Sequence, residues 1–160
     1  MAEHTGTYVT GKFDQAIQDQ PSVAHNGGRV RAVVDRIAST DAAQNDTILL
    51  ARLPSNAVIL PTSKVYHSAL GASVTADVGV RATKTGDFTI DPNGLSDGAD
   101  VSSAGSFDLL DSITANAGKR LWEYTDASAD PGREIDIYLS LVDANPAAGT
   151  VAWEIHYTID

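Results

Sequence analysis

Two side chains near the end of the chain have the types needed for acid/base chemistry. In "GTVAWEIHYTI" (residues 149–159), Glu154 and His156 stand two residues apart. A carboxylate beside an imidazole can hold the ring and tune it as a general base, provided a nucleophile or a polarising group is brought to it. Val151, Trp153, Ile155, Tyr157 and Ile159 alternate with Thr150, Ala152, Glu154, His156 and Thr158. That is the period of a half-buried β-strand, whose successive side chains point to opposite faces. Glu154 and His156 therefore share a face, with Cα atoms roughly 6.5–7 Å apart at about 3.3 Å of rise per residue. Nothing in that spacing orients one toward the other. The expectation is the polar outer face of a sheet, and no catalytic residue is assigned.

Other candidate sites have equally ordinary readings. "DPNGLSDGAD" places Asp91, Asn93, Asp97 and Asp100 within ten residues, enough oxygens for a calcium loop. The spacing is not that of an EF-hand, and Asp-Gly pairs are common turn chemistry, so the stretch is read as a turn and no metal or cofactor is expected. The histidines, His4, His25, His67 and His156, form neither an HxH nor an HExxH pattern, and lone histidines carry little zinc signal. No G-x-S-x-G elbow or phosphate-binding glycine loop is present. Trp122, Tyr124, Tyr138, Trp153 and Tyr157 gather in the last third of the chain. Core packing explains most of them, and an exposed subset would make a sugar-binding platform.

The elements that must position these residues are strands. "RVRAVVDRIAS" is a candidate strand, with helix as the alternative; "DTILLARL" follows as a strand, then "AVILPTSKVYHSAL", an extended segment interrupted at Pro61. In "GASVTADVGV", Val74, Ala76, Val78 and Val80 alternate with Ser73, Thr75, Asp77 and Gly79. "DFTID" is short and strand-like, "SFDLLDSITANAG" is a helical turn or an irregular crossing, "KRLWEY" reads as strand, and "REIDIYLSLV" precedes the terminal strand. About eight strands separated by turn signals predict an all-β fold, a jelly-roll-like antiparallel β-sandwich. It spans residues 29–160 and follows an extended N-terminal arm, residues 1–28, that shows no sustained period.

A chain of 160 residues makes one domain large enough for its own core. It has no cysteine, which excludes thiol catalysis and disulfides. The start lacks the basic and apolar segments of a signal peptide, and no stretch has the length of a membrane span, so a soluble protein without membrane association is expected. The net charge is −10. Lys12, Arg29, Arg31 and Arg36 balance Glu3, Asp14, Asp19 and Asp35 in residues 1–40, so the rest of the chain carries all of it. An acidic body argues against a nucleic-acid surface, which needs clustered Lys and Arg.

From residue 46 onward the sequence resembles small virion proteins of tailed bacteriophages, often encoded near the major capsid gene. The resemblance lies in a strand ending "ARLP", in "VILPTS", in the "LGASVTADVG" alternation, in "LSDGADVSSAG" and in the terminal "AGTVAWEIHY". It implies a non-enzymatic decoration protein, made in the host cytoplasm, that binds the major capsid protein on the outer capsid surface and stabilises the shell. It also implies contact with neighbouring copies, a trimer being favoured. The alternative is a head fibre or spike domain that binds host-surface glycans; a hydrolase built from Glu154, His156 and the loop aspartates is the third reading. The charge-balanced arm is the expected contact to the capsid or to another copy, through Val9, Phe13, Ile17 and Val23.

Overall fold

A computed structural model describes residues 29–39, 43–83 and 91–159. Nine strands run in the order β1 (Arg31–Ser39), β2 (Thr47–Pro54), β3 (Ala57–Ile59), β4 (Lys64–His67), β5 (Thr75–Ala82), β6 (Asp91–Asp100), β7 (Gly105–Asp108), β8 (Glu134–Val142) and β9 (Gly149–Ile159). A one-turn helix, α1 (Ile113–Asn116), and a 3-10 helix at Leu121–Tyr124 lie between β7 and β8. All strand pairs are antiparallel. One sheet has the order β1-β9-β4-β7, with β3 also on β9, and the other β2-β8-β5-β6. Consecutive strands lie in opposite sheets at every step except β3/β4 and β5/β6, which is the jelly-roll winding.

The ninth strand arises from one interruption. β3 and β4 pair in tandem along the same edge of β9, at Ala57↔Ile159 to Ile59↔Tyr157 and at Lys64↔Glu154 to His67↔Val151. Pro61 cannot donate to the ladder, and the chain bulges out there. Ser63, fully buried, fills the gap: its Oγ accepts from the His156 N–H (2.9 Å) and donates to the His156 carbonyl (3.1 Å). β3 and β4 thus count as one broken strand of an eight-strand jelly roll, as the sequence predicts.

The alternation read from the sequence sets the core. Val74, Ala76, Val78 and Val80 are fully buried, as are Ile135, Ile137, Leu139 and Leu141 of β8 and Ile155 of β9. Each such aliphatic side chain is worth roughly 1.5–3 kcal/mol on burial. Leu70, Leu109, Leu110 and Leu121 extend the same core from the connections.

Three stretches differ from expectation. "DPNGLSDGAD" is not a turn but strand β6, anchored by the buried Leu95. Its turn residues sit at bulges, where the β5–β6 register shifts twice. Carboxylates take N–H groups that an irregular ladder leaves over: Asp77 Oδ1 accepts from Gly98 (2.8 Å) and Asp111 Oδ2 from Asp97 (2.9 Å). Gly79 permits the close approach, since a Cβ there would collide with the Asp91 carbonyl oxygen. "KRLWEY" is not a strand either. Leu121 and Tyr124 are buried at i, i+3 spacing in the 3-10 helix, and the Glu123 carboxylate caps the Arg120 N–H at 2.7 Å. "SFDLLDSITANAG" divides into β7 and α1. Asp91, the last residue of "DFTID", opens β6 and the remainder lies outside the described residues, as does the arm.

On the outer face of the second sheet, Asp136 is 4 % exposed. The Arg52 guanidinium grips it through Nε (2.7 Å) and Nη2 (3.2 Å), while Arg81 Nε lies 3.6 Å away. The hydrogen bond to Asp136 pushes the Arg52 pKa up. Arg81 also stands 4.9 Å over the Tyr138 ring. A buried carboxylate is tolerated here because two guanidinium groups bracket it.

Candidate functional site

The outer face of the β1-β9-β4-β7 sheet holds the residues singled out for chemistry. The register aligns Val34, Glu154 and Lys64 in one row and Arg36, Ala152 and Tyr66 in the next. Glu154 and His156 do share this face, and each has a different partner. Tyr66 donates its hydroxyl proton to Glu154 Oε1 at 2.7 Å, which pushes the phenol pKa up. His156 Nδ1 lies 3.0 Å from Thr62 Oγ1 on the Pro61 bulge. Lys64 bonds Asp108 across β7, which raises the lysine pKa. The Glu–His unit that acid/base work needs is therefore not assembled; two cross-strand polar contacts stand in its place.

An open depression of about 260 Å³ lies among Val34, Asp35, Arg36, Tyr66, Ala152, Trp153 and Glu154. Val34 and Tyr66 expose apolar surface at 72 % and 41 %. A larger recess of about 430 Å³ at one end of the sandwich is lined by Pro54, Ser55, Asn56, Asp130, Gly132, Arg133 and Glu134. There the Ser55 hydroxyl donates to Asp130 Oδ1, which also accepts the Gly132 N–H. That hydroxyl points into a loop-closing bond, and the lining contains no histidine to activate it.

The remaining candidates are dispersed. Asp91, Asn93, Asp97 and Asp100 run along β6 in the other sheet, away from Glu154 and His156. Asp100 accepts the Ser102 N–H (2.8 Å), which lowers its pKa. Among the described residues no group of three or more His, Asp or Glu is placed to hold a metal ion, and no helix is long and apolar enough to cross a membrane. Of the aromatics considered for a sugar platform, Tyr124, Tyr138 and Trp153 are buried. Among the described residues the exposed aromatic is Tyr66, which the sequence does not single out; the inward phase of Val65 and His67 was the available signal. Val9, Phe13, Ile17 and Val23 lie outside the described residues.

This face presents a mixed surface. It combines an exposed valine and tyrosine with Arg36, Lys64 and Glu154 on a rigid sheet, the mixed apolar and polar character of an interface.

No protein-family model matches the sequence, and no curated protein matches it. Among solved structures the fold is similar to a chain of the cyanophage Pam1 capsid asymmetric unit, at 15% sequence identity and a TM-score of 0.54. That match covers 84% of this chain and 88% of that one. It is also similar to a chain of infectious bursal disease virus Gx strain, at 11% identity and a TM-score of 0.52, covering 84% of this chain and 33% of that one. At these identities the likeness is one of fold, and it places the chain among jelly-roll sandwiches of the kind found in these two virus particles.

Proposed function

We propose that the protein is a non-enzymatic structural component of a bacteriophage virion, a decoration protein that binds the outside of the capsid and stabilises it. The observation that carries this reading is the near end-to-end fold match to a chain of a phage capsid asymmetric unit, covering more than four fifths of both chains. The sequence resemblance to small phage virion proteins supports it, as does an acidic body suited to an outer surface rather than to packaged DNA. The partners are the major capsid protein and neighbouring copies of this chain. Binding the assembled shell, and not its separated subunits, stabilises the shell by mass action.

The arm, residues 1–28, makes much of the capsid contact, with Val9, Phe13, Ile17 and Val23 as apolar anchors. Ordering it on binding costs about 1–2 kcal/mol per residue, so it must gain strand pairing or apolar burial in return. Deleting residues 1–25 should leave a folded body that no longer co-sediments with undecorated capsids. Undiminished binding moves the contact to the sandwich, where the Val34–Tyr66 face is the next candidate. Copy number relative to the major capsid protein, measured by mass spectrometry of purified particles, tests the role itself: many copies support decoration, and a few copies at vertices support a spike. Of the five aromatics of the glycan-binding alternative, Tyr124, Tyr138 and Trp153 are buried, which leaves it the half-buried Trp122 and Tyr157.

A further inference from the structure

We infer that the open edge of β1 is a self-pairing surface, which joins two copies of this chain through an antiparallel, two-fold β1–β1 contact. Among the described residues β1 pairs only with β9, so it ends its sheet. It is also unusually bare. Of the six exposed large apolar side chains among the described residues, Val30 (58 %), Val34 (72 %) and Ile37 (44 %) belong to β1 or its lead-in. Val34 faces outward, and Ile37 is on the inward-facing side, where Val33 packs against the core, so both faces of the strand carry exposed apolar surface.

The backbone shows which groups face the free edge. The Arg36 N–H is held at 2.8 Å by Oδ1 of Asp35, the preceding residue. A side chain occupies the place where a neighbouring strand would put a carbonyl. Peptide groups alternate sides in an antiparallel ladder, so Val30, Ala32, Val34 and Arg36 present their N–H and C=O to the open edge, and the odd-numbered residues present theirs to β9.

The side chains then select a register. With Val33 opposite its own copy, Arg31 of each copy faces Asp35 of the other, giving two ion pairs. Val34 faces Ala32 and Val30 faces the stem of Arg36. The even-numbered residues form the hydrogen-bonded pairs, as the edge requires. Val33–Val33 and Arg31–Asp35 fall at the non-hydrogen-bonded positions, where the Cα atoms approach to about 4.5 Å and side chains are closer. Centring the pair on Arg31 or on Asp35 sets like charges against each other. Centring on Val34 sets Asp35 against Val33 and Arg31 against Ile37, and centring on Ala32 pairs Asp35 with Arg29 of the lead-in but leaves Arg31 facing Val33. The Val33 register alone gives both Arg31 and Asp35 an opposite partner; Arg36, the third charge of the strand, faces Val30. Charged residues on an edge strand usually deter pairing; Arg31 and Asp35, four residues apart and of opposite sign, deter other strands while matching their own copy. The contact is two-fold, unlike the trimer that the resemblance favours.

Sedimentation equilibrium of the full chain tests the contact. The expected result is a concentration-dependent mass rising from 16.8 kDa toward twice that value, with association weakened by salt. Arg31→Asp and Asp35→Arg should each raise the dissociation constant at least about tenfold, and the double reversal Arg31→Asp/Asp35→Arg should restore it. All three variants should keep the circular dichroism of the parent, because both positions are exposed. A monomer at all concentrations, a mass that the single reversals do not change, or a double reversal that fails to restore association overturns the inference. So does a full-length monomer that dimerises only after deletion of residues 1–25, because the arm of the same chain would then be the occupant of the edge.

Discussion

Trp153 and Glu154 are adjacent in sequence and opposite in role. Trp153 is 4 % exposed within the core, and Glu154 is half-buried on the outer face with Tyr66. Trp153→Ala should cost about 3–5 kcal/mol, the usual range for a buried aromatic cut to Ala. Glu154→Ala should cost within about 0.5 kcal/mol, as most surface changes do. The Trp153 Nε1 is buried without a hydrogen-bond partner among the described residues. Trp153→Phe, which removes that donor along with part of the ring, should therefore cost much less than Trp153→Ala. Urea titrations of the three variants measure the order; equal losses for Trp153→Ala and Glu154→Ala would reverse the facing of β9.

Burial of a phenol gives the fold an alkaline limit. Tyr124 is 7 % exposed, its hydroxyl donates to the Asn116 carbonyl (3.3 Å), and burial pushes its pKa well above that of a free tyrosine. The folded state thus holds this proton more tightly than the unfolded chain, where the value is about 10. The stabilisation is fully present below that pH and is lost as pH rises above it. Thermal unfolding followed from pH 8 to 11.5 should show a fall in Tm beginning near pH 10, and Tyr124→Phe should flatten it. An unchanged slope in the variant would assign the alkaline loss to other groups.

At the scale of elements, the Pro61 bulge is the point where a strand is broken without losing its place in the sheet. Ser63 meets both the N–H and the C=O of His156 with one hydroxyl. Ser63→Ala leaves the His156 N–H without its partner, while the carbonyl keeps the Leu60 N–H at 2.9 Å; one unsatisfied buried donor costs about 1–3 kcal/mol. Hydrogen exchange should quicken at His156 more than at Trp153, because only the former amide depends on the hydroxyl. Uniform protection along β9 in the variant would show that water takes over the serine's role. β6 shows the converse: glycines and aspartates that signal a turn in isolation become a bulged strand when Leu95 is drawn into the core and Asp77 and Asp111 bind the irregular amides.

At the scale of the whole molecule, the two sheets leave four end strands among the described residues, β1 and β7 in one and β2 and β6 in the other. β1 is the one of these that exposes large apolar side chains on both faces, Val34 on one and Ile37 on the other. If the proposed virion role holds, many copies are concentrated on one shell, and a weak edge-to-edge contact gains effect from that local concentration. The arm truncation and the charge reversals act on different surfaces, one on shell binding and the other on pairing between copies, so either can fail without the other.

The period-2 pattern in "GASVTADVGV", "REIDIYLSLV" and "GTVAWEIHYTI" determined these strands and their buried faces by itself, because alternation is a local consequence of strand geometry. The same pattern put Glu154 and His156 on one face. What that face does with them was decided by register: Tyr66 and Thr62 reach those two residues from β4 and the Pro61 bulge, distant in sequence. The 3-10 turn at "LWEY" and the strand at "DPNGLSDGAD" were settled by where Leu121, Tyr124 and Leu95 meet the core. The bareness of β1 was also a tertiary matter, since an alternating strand reads the same in the middle of a sheet as at its end. Only strand order distinguishes the two positions, and strand order is set by long-range pairing.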